Sequence, residues 1–294
     1  MSGRVACGAS SLARTLLAHK QASNSPATNP SGLPSGNRKR GSKSIVNGAN
    51  SAVDPEKVLR AFNTWSFKRE QPSDPQQMLR VIANAIVAQA PVRFGLYWGK
   101  GPRHDVGGPE NECLDFLNSM TSRLQAVYAP GAALTLIFTD THARLNGHPE
   151  ENIRRYFAGM TSLCGQRGIA SCWLGSLVKA SGHLATAAPL ETLPPETLSS
   201  LVASAQKWYR GPGTAEEGAL AYLRMNLIER RVVERTFPNS IFVTFNGSEM
   251  RNLFPHQLPI FYMYSLRRGM SVKPWFLPSE PVKSDDGAET LTSL

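Results

Sequence analysis

Residues 92 to 138 read VRFGLYWGKGPRHDVGGPENECLDFLNSMTSRLQAVYAPGAALTLIF. The two ends, VRFGLYW at 92–98 and AALTLIF at 132–138, are short apolar runs of strand length, rich in β-formers. Between them ENECLDFLNSMTSRLQAVY sets Leu114, Leu117, Met120, Leu124 and Val127 on one stripe, which predicts a helix. Strand, helix and strand of these lengths form a βαβ unit, whose strands run parallel with a right-handed crossover. In a parallel sheet the loops leaving the C-terminal strand ends share one edge, where ligands usually sit. GKGPRHD after the first strand and TDTHARLNGH after the second therefore belong on the same edge.

Upstream, DPEKVLRAFNTW and SDPQQMLRVIANAIVAQA each pair a capping aspartate, Asp54 or Asp74, with a proline at the first helical position. The second sets Met78, Leu79, Ile82, Ile86 and Val87 on one face. Downstream, the pattern predicts a helix over 149–166, a short strand over 171–174, a connector in SGHLATAAPLETLPP, and a helix in PPETLSSLVASAQKWY. TAEEGALAYLRMNLIERRVVERTF follows with a Thr214/Glu217 capping box, and SIFVTF and PIFYMYSL are β-rich. The expected fold is one Rossmann-like α/β domain over 53–280, with a largely parallel central sheet and helices on both faces.

The chain has 294 residues and a formal net charge of +10, but the charge is unevenly placed. Residues 1–52 hold no Asp or Glu, and carry Arg4, Arg14, Lys20, Arg38, Lys39, Arg40 and Lys43. Little there can be buried after Leu17, so a disordered basic tail is expected. SSLARTLLAHK also has the composition of an organelle-targeting helix. The remaining body is nearly balanced, which makes nucleic acid an unlikely partner for it. Residues 281–294 are expected to be disordered. Cys7, Cys113, Cys164 and Cys172 lack the spacing of zinc ligands, which suits a reducing, cytoplasmic setting. No apolar run is long enough for a membrane span.

Three regions offer chemistry. Lys100, Arg103 and His104 gather cations in a Gly-rich loop suited to phosphate or carboxylate, without the GxxxxGK[ST] or GxGxxG spacing. Asp140, His142 and His148 follow the second strand and have the ligand types for one divalent ion. Arg267, Arg268 and Lys273 lie between a strand and a Pro-Trp segment, and Arg224 and Glu229 flank an apolar stripe.

FLNSMTSRLQAVYAPGAALTLIFTDTH (116–142), HPEENIRRYFAGM (148–160) and AYLRMNLIERRVVERTFPNSIFVTF (221–245), taken together, resemble the isocyanide synthases of the pyoverdine/dityrosine biosynthesis family. The resemblance spans about Arg93 to Phe245. The chain departs from the family at three places. YWGKGPRHD keeps Lys100 and Arg103 without the asparagines of the family's lysine loop, TDT stands for Ser-Asp-Gly and keeps Asp140, and TFNG replaces a Ser-Ile-His-Pro-like sequence. The resemblance implies an enzyme that turns an amino-acid amine into an isocyanide, taking carbon from a pentulose phosphate such as ribulose 5-phosphate, with no cofactor. Such chemistry needs a phosphate cradle, a proton-transfer group and an anchor for the substrate carboxylate, types that Lys100, Arg103, His104, Asp140 and His142 supply on one edge. Glu229 joins the catalytic candidates, and Arg224, Arg267 and Lys273 join Arg103 as substrate-binding candidates, from their own places in the sequence. Neutralising Lys100 or Arg103 is then expected to cost about 1.5 to 3 kcal/mol of affinity with little effect on folding. Two other readings stand beside it: a metal-dependent hydrolase using Asp140, His142 and His148, and a binding protein whose basic tail engages nucleic acid or an anionic membrane.

Overall fold

A computed structural model describes residues 53–99, 103–182 and 194–278. The chain divides into two units, Met1–Asn50 and Ser51–Leu294. The basic tail, Lys100, most of the connector and the C-terminal segment from 279 onward lie outside the described residues.

Helices α1 (Pro55–Phe62) and α2 (Pro75–Val87) open as their sequences predict. Asp54 accepts a hydrogen bond from the Glu56 amide at 2.9 Å, and Asp74 accepts one from the Gln77 amide at 2.8 Å. Val87, assigned by spacing to the apolar face of α2, is 86% exposed because the helix ends there, and Val81 is buried instead. Strand β1 (Val92–Trp98), helix α3 (Gly108–Gln125) and strand β2 (Ala132–Phe138) form the expected βαβ unit. The two strands are parallel neighbours in register from Val92↔Ala132 to Trp98↔Phe138.

Next come α4 (Asp140–Leu145), α5 (Glu150–Gln166), β3 (Ala170–Trp173), α6 (Leu174–Ala180), α7 (Pro195–Trp208) and α8 (Ala215–Thr236). The Thr214/Glu217 capping box opens α8. Strands β4 (Ser240–Thr244) and β5 (Ile260–Tyr262) follow, with 3-10 turns at Ser248–Leu253 and Pro274–Phe276. Short α4, α6 and the two 3-10 turns have too few residues to show a helical period and are found only in the structure.

The sheet has five strands in the order β3-β2-β1-β4-β5, with every pair parallel. Strand alternation divides the core. Phe94, Leu96, Trp98, Leu136 and Phe138 face α1, α2, α3 and α5, whereas Ile137, Phe242, Ile260 and Tyr262 pack with Leu174 of α6 and Val233 of α8. Helices thus cover both faces, as a parallel sheet requires. Because β1 has β2 on one side and β4 on the other, the chain reverses its winding direction at β1. A crevice opens at such a switch point, outside the C-terminal strand ends. Among the described residues no helix is long and apolar enough to cross a membrane.

Candidate functional site

A cleft of about 320 Å³ occupies that crevice. Its floor is made by the strand ends: Tyr97 next to last in β1 and Gly99 just after that strand, Thr139 after β2, and Thr244 to Asn246 at the end of β4. Helices α7 and α8 contribute Leu201, Trp208, Ala219 and Tyr222, and the 273–276 segment contributes Lys273, Trp275 and Phe276. Gly99 lets the backbone run close beneath the Trp275 ring: a Cβ at that position would lie 3.2 Å from it, so any other residue would push the ring outward by a few tenths of an ångström. Trp208 stacks on Phe276 with ring centroids 4.5 Å apart, joining two of the walls.

At the cleft edge His142 of α4 meets Glu229 of α8. Their Nε2 and Oε2 atoms are 2.6 Å apart, and Thr141 Oγ1 donates to the other carboxylate oxygen at 2.5 Å. Glu229 is buried, so both oxygens need these partners. An Nε2–H donating to Glu229 leaves Nδ1 of the imidazole free to accept a proton. The ring is further held edge-on by Tyr222 at 4.8 Å and Tyr97 at 6.2 Å between centroids. Burial, and then the Glu229 charge, push the Tyr222 hydroxyl up to about 12, so it stays protonated near neutral pH.

Asp140 lies close by but performs a different task. One oxygen accepts the Gly175 amide at 2.9 Å, at the start of α6, and the other accepts Arg144 Nη1 at 2.5 Å. This buried carboxylate fixes the short helix that carries His142. These contacts oppose the alternative reading of a divalent ion on Asp140, His142 and His148: Asp140 is turned to Arg144 and Gly175, while His142 is bound to Glu229. Among the described residues no three His, Cys, Asp or Glu side chains group as a metal site. Only His142 and His148 of the trio line the cleft.

Arg144 continues to Glu150, donating through Nε at 2.8 Å. That bond, with a second from Arg154, holds the Glu150 carboxyl down to about 2. A depressed acid contributes stability that is complete above its ordinary value near 4.5 and is lost as pH falls toward 2. Solvent screening limits the effect to under about 1 kcal/mol. Glu150→Gln is therefore expected to melt slightly lower than the parent at pH 7 and to converge with it near pH 2. Melting curves that stay separated at acid pH would refute the pairing.

Arg103 is withdrawn from the cleft. Its guanidinium pairs with the buried carboxylate of Glu110 and donates to the Leu277 carbonyl at 2.7 Å. Glu110 also accepts from Tyr156 at 3.0 Å and from the Gly107 amide at 2.9 Å, and Tyr156 accepts from Trp98 Nε1 at 3.2 Å. The loop arginine expected to hold a ligand instead satisfies a carboxylate in the core. His104, Arg224 and Arg267 are exposed and do not line the cleft. Lys273 does line it, half-buried and without a hydrogen bond or ion pair among the described residues. Burial first and the nearby Arg69 second lower its ammonium pKa. The sequence reading omits Tyr97, Tyr222, Thr244 and Asn246, whose only signal is their place at strand ends or on the helix facing them.

Comparison with solved structures places this architecture. The PvcA protein of Pseudomonas aeruginosa superposes with a TM-score of 0.59 at 20% identity, over 75% of this chain and 87% of that one. This chain has the PvcA fold. A tryptophanyl-tRNA synthetase homolog from Entamoeba histolytica superposes loosely, with a TM-score of 0.37 at 10% identity over 70% of this chain and 62% of that one. No protein-family model and no curated protein matches the chain.

Proposed function

We propose that this chain is a biosynthetic enzyme of the isocyanide-synthase type, acting on an amino acid with a pentulose phosphate as carbon donor. The PvcA fold stands beside the resemblance to the isocyanide synthases carried by residues 116–142, 148–160 and 221–245, and together they support this reading. The observation that carries the reading is the His142–Glu229 pair at the edge of a cleft that also holds Lys273, which has no ion pair among the described residues. Condensing an amine with a ketone and then cleaving a carbon–carbon bond requires repeated proton transfers. His142 moves the protons, Glu229 orients it, and Lys273 grips the phosphate or carboxylate of a substrate.

The reading is tested by incubating the full chain with single amino acids and ribulose 5-phosphate and following products by mass spectrometry. Absence of any amino-acid-dependent consumption of the sugar phosphate would sink it. Lys273→Met removes one charge-assisted hydrogen bond and is expected to weaken substrate binding roughly 10- to 150-fold, with a smaller effect on maximal rate. An unchanged KM for both substrates would take Lys273 out of the site.

A further inference from the structure

Tyr97 is the residue of the cleft whose chemistry is unaccounted for. It stands one residue before the end of β1, its ring wedged edge-on against Phe242 at 4.9 Å and against His142 at 6.2 Å. Its hydroxyl is buried and has no hydrogen-bond partner among the described residues. A buried hydroxyl without a partner opposes folding, so its retention calls for an explanation. The same ring packing is available to phenylalanine.

We infer that the Tyr97 hydroxyl is a ligand-binding donor, placed to hold the carbonyl oxygen of a ketone whose neighbouring C–H is deprotonated by His142. The proton passes from that carbon to the free imidazole nitrogen, and the C–H electron pair becomes the carbon–carbon double bond of an enolate. The carbonyl π pair moves onto oxygen, where the Tyr97 O–H donates to it without transferring its own proton. Return of the proton from His142 restores the ketone or passes it to another carbon, and no oxidant or further reactant enters. Burial, and after it the Glu229 charge, raise the Tyr97 pKa well above the ordinary phenol value, which keeps the hydroxyl a donor at neutral and mildly alkaline pH. Donors aimed at a developing oxyanion stabilise it most where water is excluded. The choice of a ketone rests on the sugar-phosphate reading above, whereas the donor role rests on the hydroxyl itself.

Tyr97→Phe deletes the hydroxyl and keeps the ring. The variant is expected to melt at or above the parent, because an unpartnered polar group has been removed. It is expected to bind ribulose 5-phosphate roughly 2- to 12-fold more weakly, while binding the matching alcohol, ribitol 5-phosphate, as the parent does. Tryptophan fluorescence reports binding without turnover, since Trp208 and Trp275 line the cleft. A variant that melts several degrees lower overturns the proposal by revealing a structural partner. So does a variant that keeps the parent's preference for the ketone. A parent that binds neither probe overturns the sugar-phosphate reading and, with it, the choice of a ketone as the ligand.

Discussion

His142→Gln is expected to lower turnover by about 10²- to 10⁴-fold while the protein stays folded, the range for removing a positioned general base. Glutamine retains an N–H donor for Glu229, whose carboxylate is buried and would otherwise lose its partner at 2.6 Å. What disappears is the second ring nitrogen, the one the Glu229 bond leaves free. Glu229→Gln is expected to act in the same direction but less severely, because Thr141 still holds one side-chain oxygen and only the control of the imidazole tautomer is lost. Single-turnover rates with a thermal melt for each variant separate chemistry from folding. Turnover within about 3-fold of the parent in His142→Gln would assign the proton transfers to another residue.

The second large effect is on stability. Arg103→Ala is expected to destabilise the protein by about 3 to 5 kcal/mol, because it strands the fully buried Glu110 with the Tyr156 hydroxyl and the Gly107 amide as its remaining partners. It also frees the Leu277 carbonyl, and with it the segment that carries Lys273 and Trp275 into the cleft. Replacing both members, as Arg103→Met with Glu110→Met, is expected to recover much of the loss, since the main penalty is a lone buried charge. Urea denaturation of the two single variants and the double variant forms a cycle that isolates the pair. Additive losses, or an Arg103→Ala protein with the parent's midpoint, would contradict the buried pair. The outcome also decides between the two roles of Arg103: a ligand-binding arginine on an exposed loop would change affinity and leave the midpoint alone.

That contrast marks how far the chain could be read. The apolar runs VRFGLYW and AALTLIF, the stripe of α3, the aspartate-proline helix starts and the Thr214/Glu217 box are local patterns, set by backbone period and by satisfaction of helix-end amides. They suffice for a parallel α/β sheet and for the edge on which its loops gather, and the structure bears this out strand by strand. The site residues obey no local period. His142 is a polar residue in a short helix until Glu229, 87 positions later, arrives across from it on α8. Arg103 in a Gly-rich loop looks solvated until α3 buries Glu110 beneath it, and Tyr97 reads as one more strand aromatic. Propensity and periodicity depend on neighbours in sequence and are therefore determined by sequence alone. Which charges are neutralised, which hydroxyl is left without a partner and which lysine faces the cleft depend on packing between distant segments, and only the tertiary structure decides them.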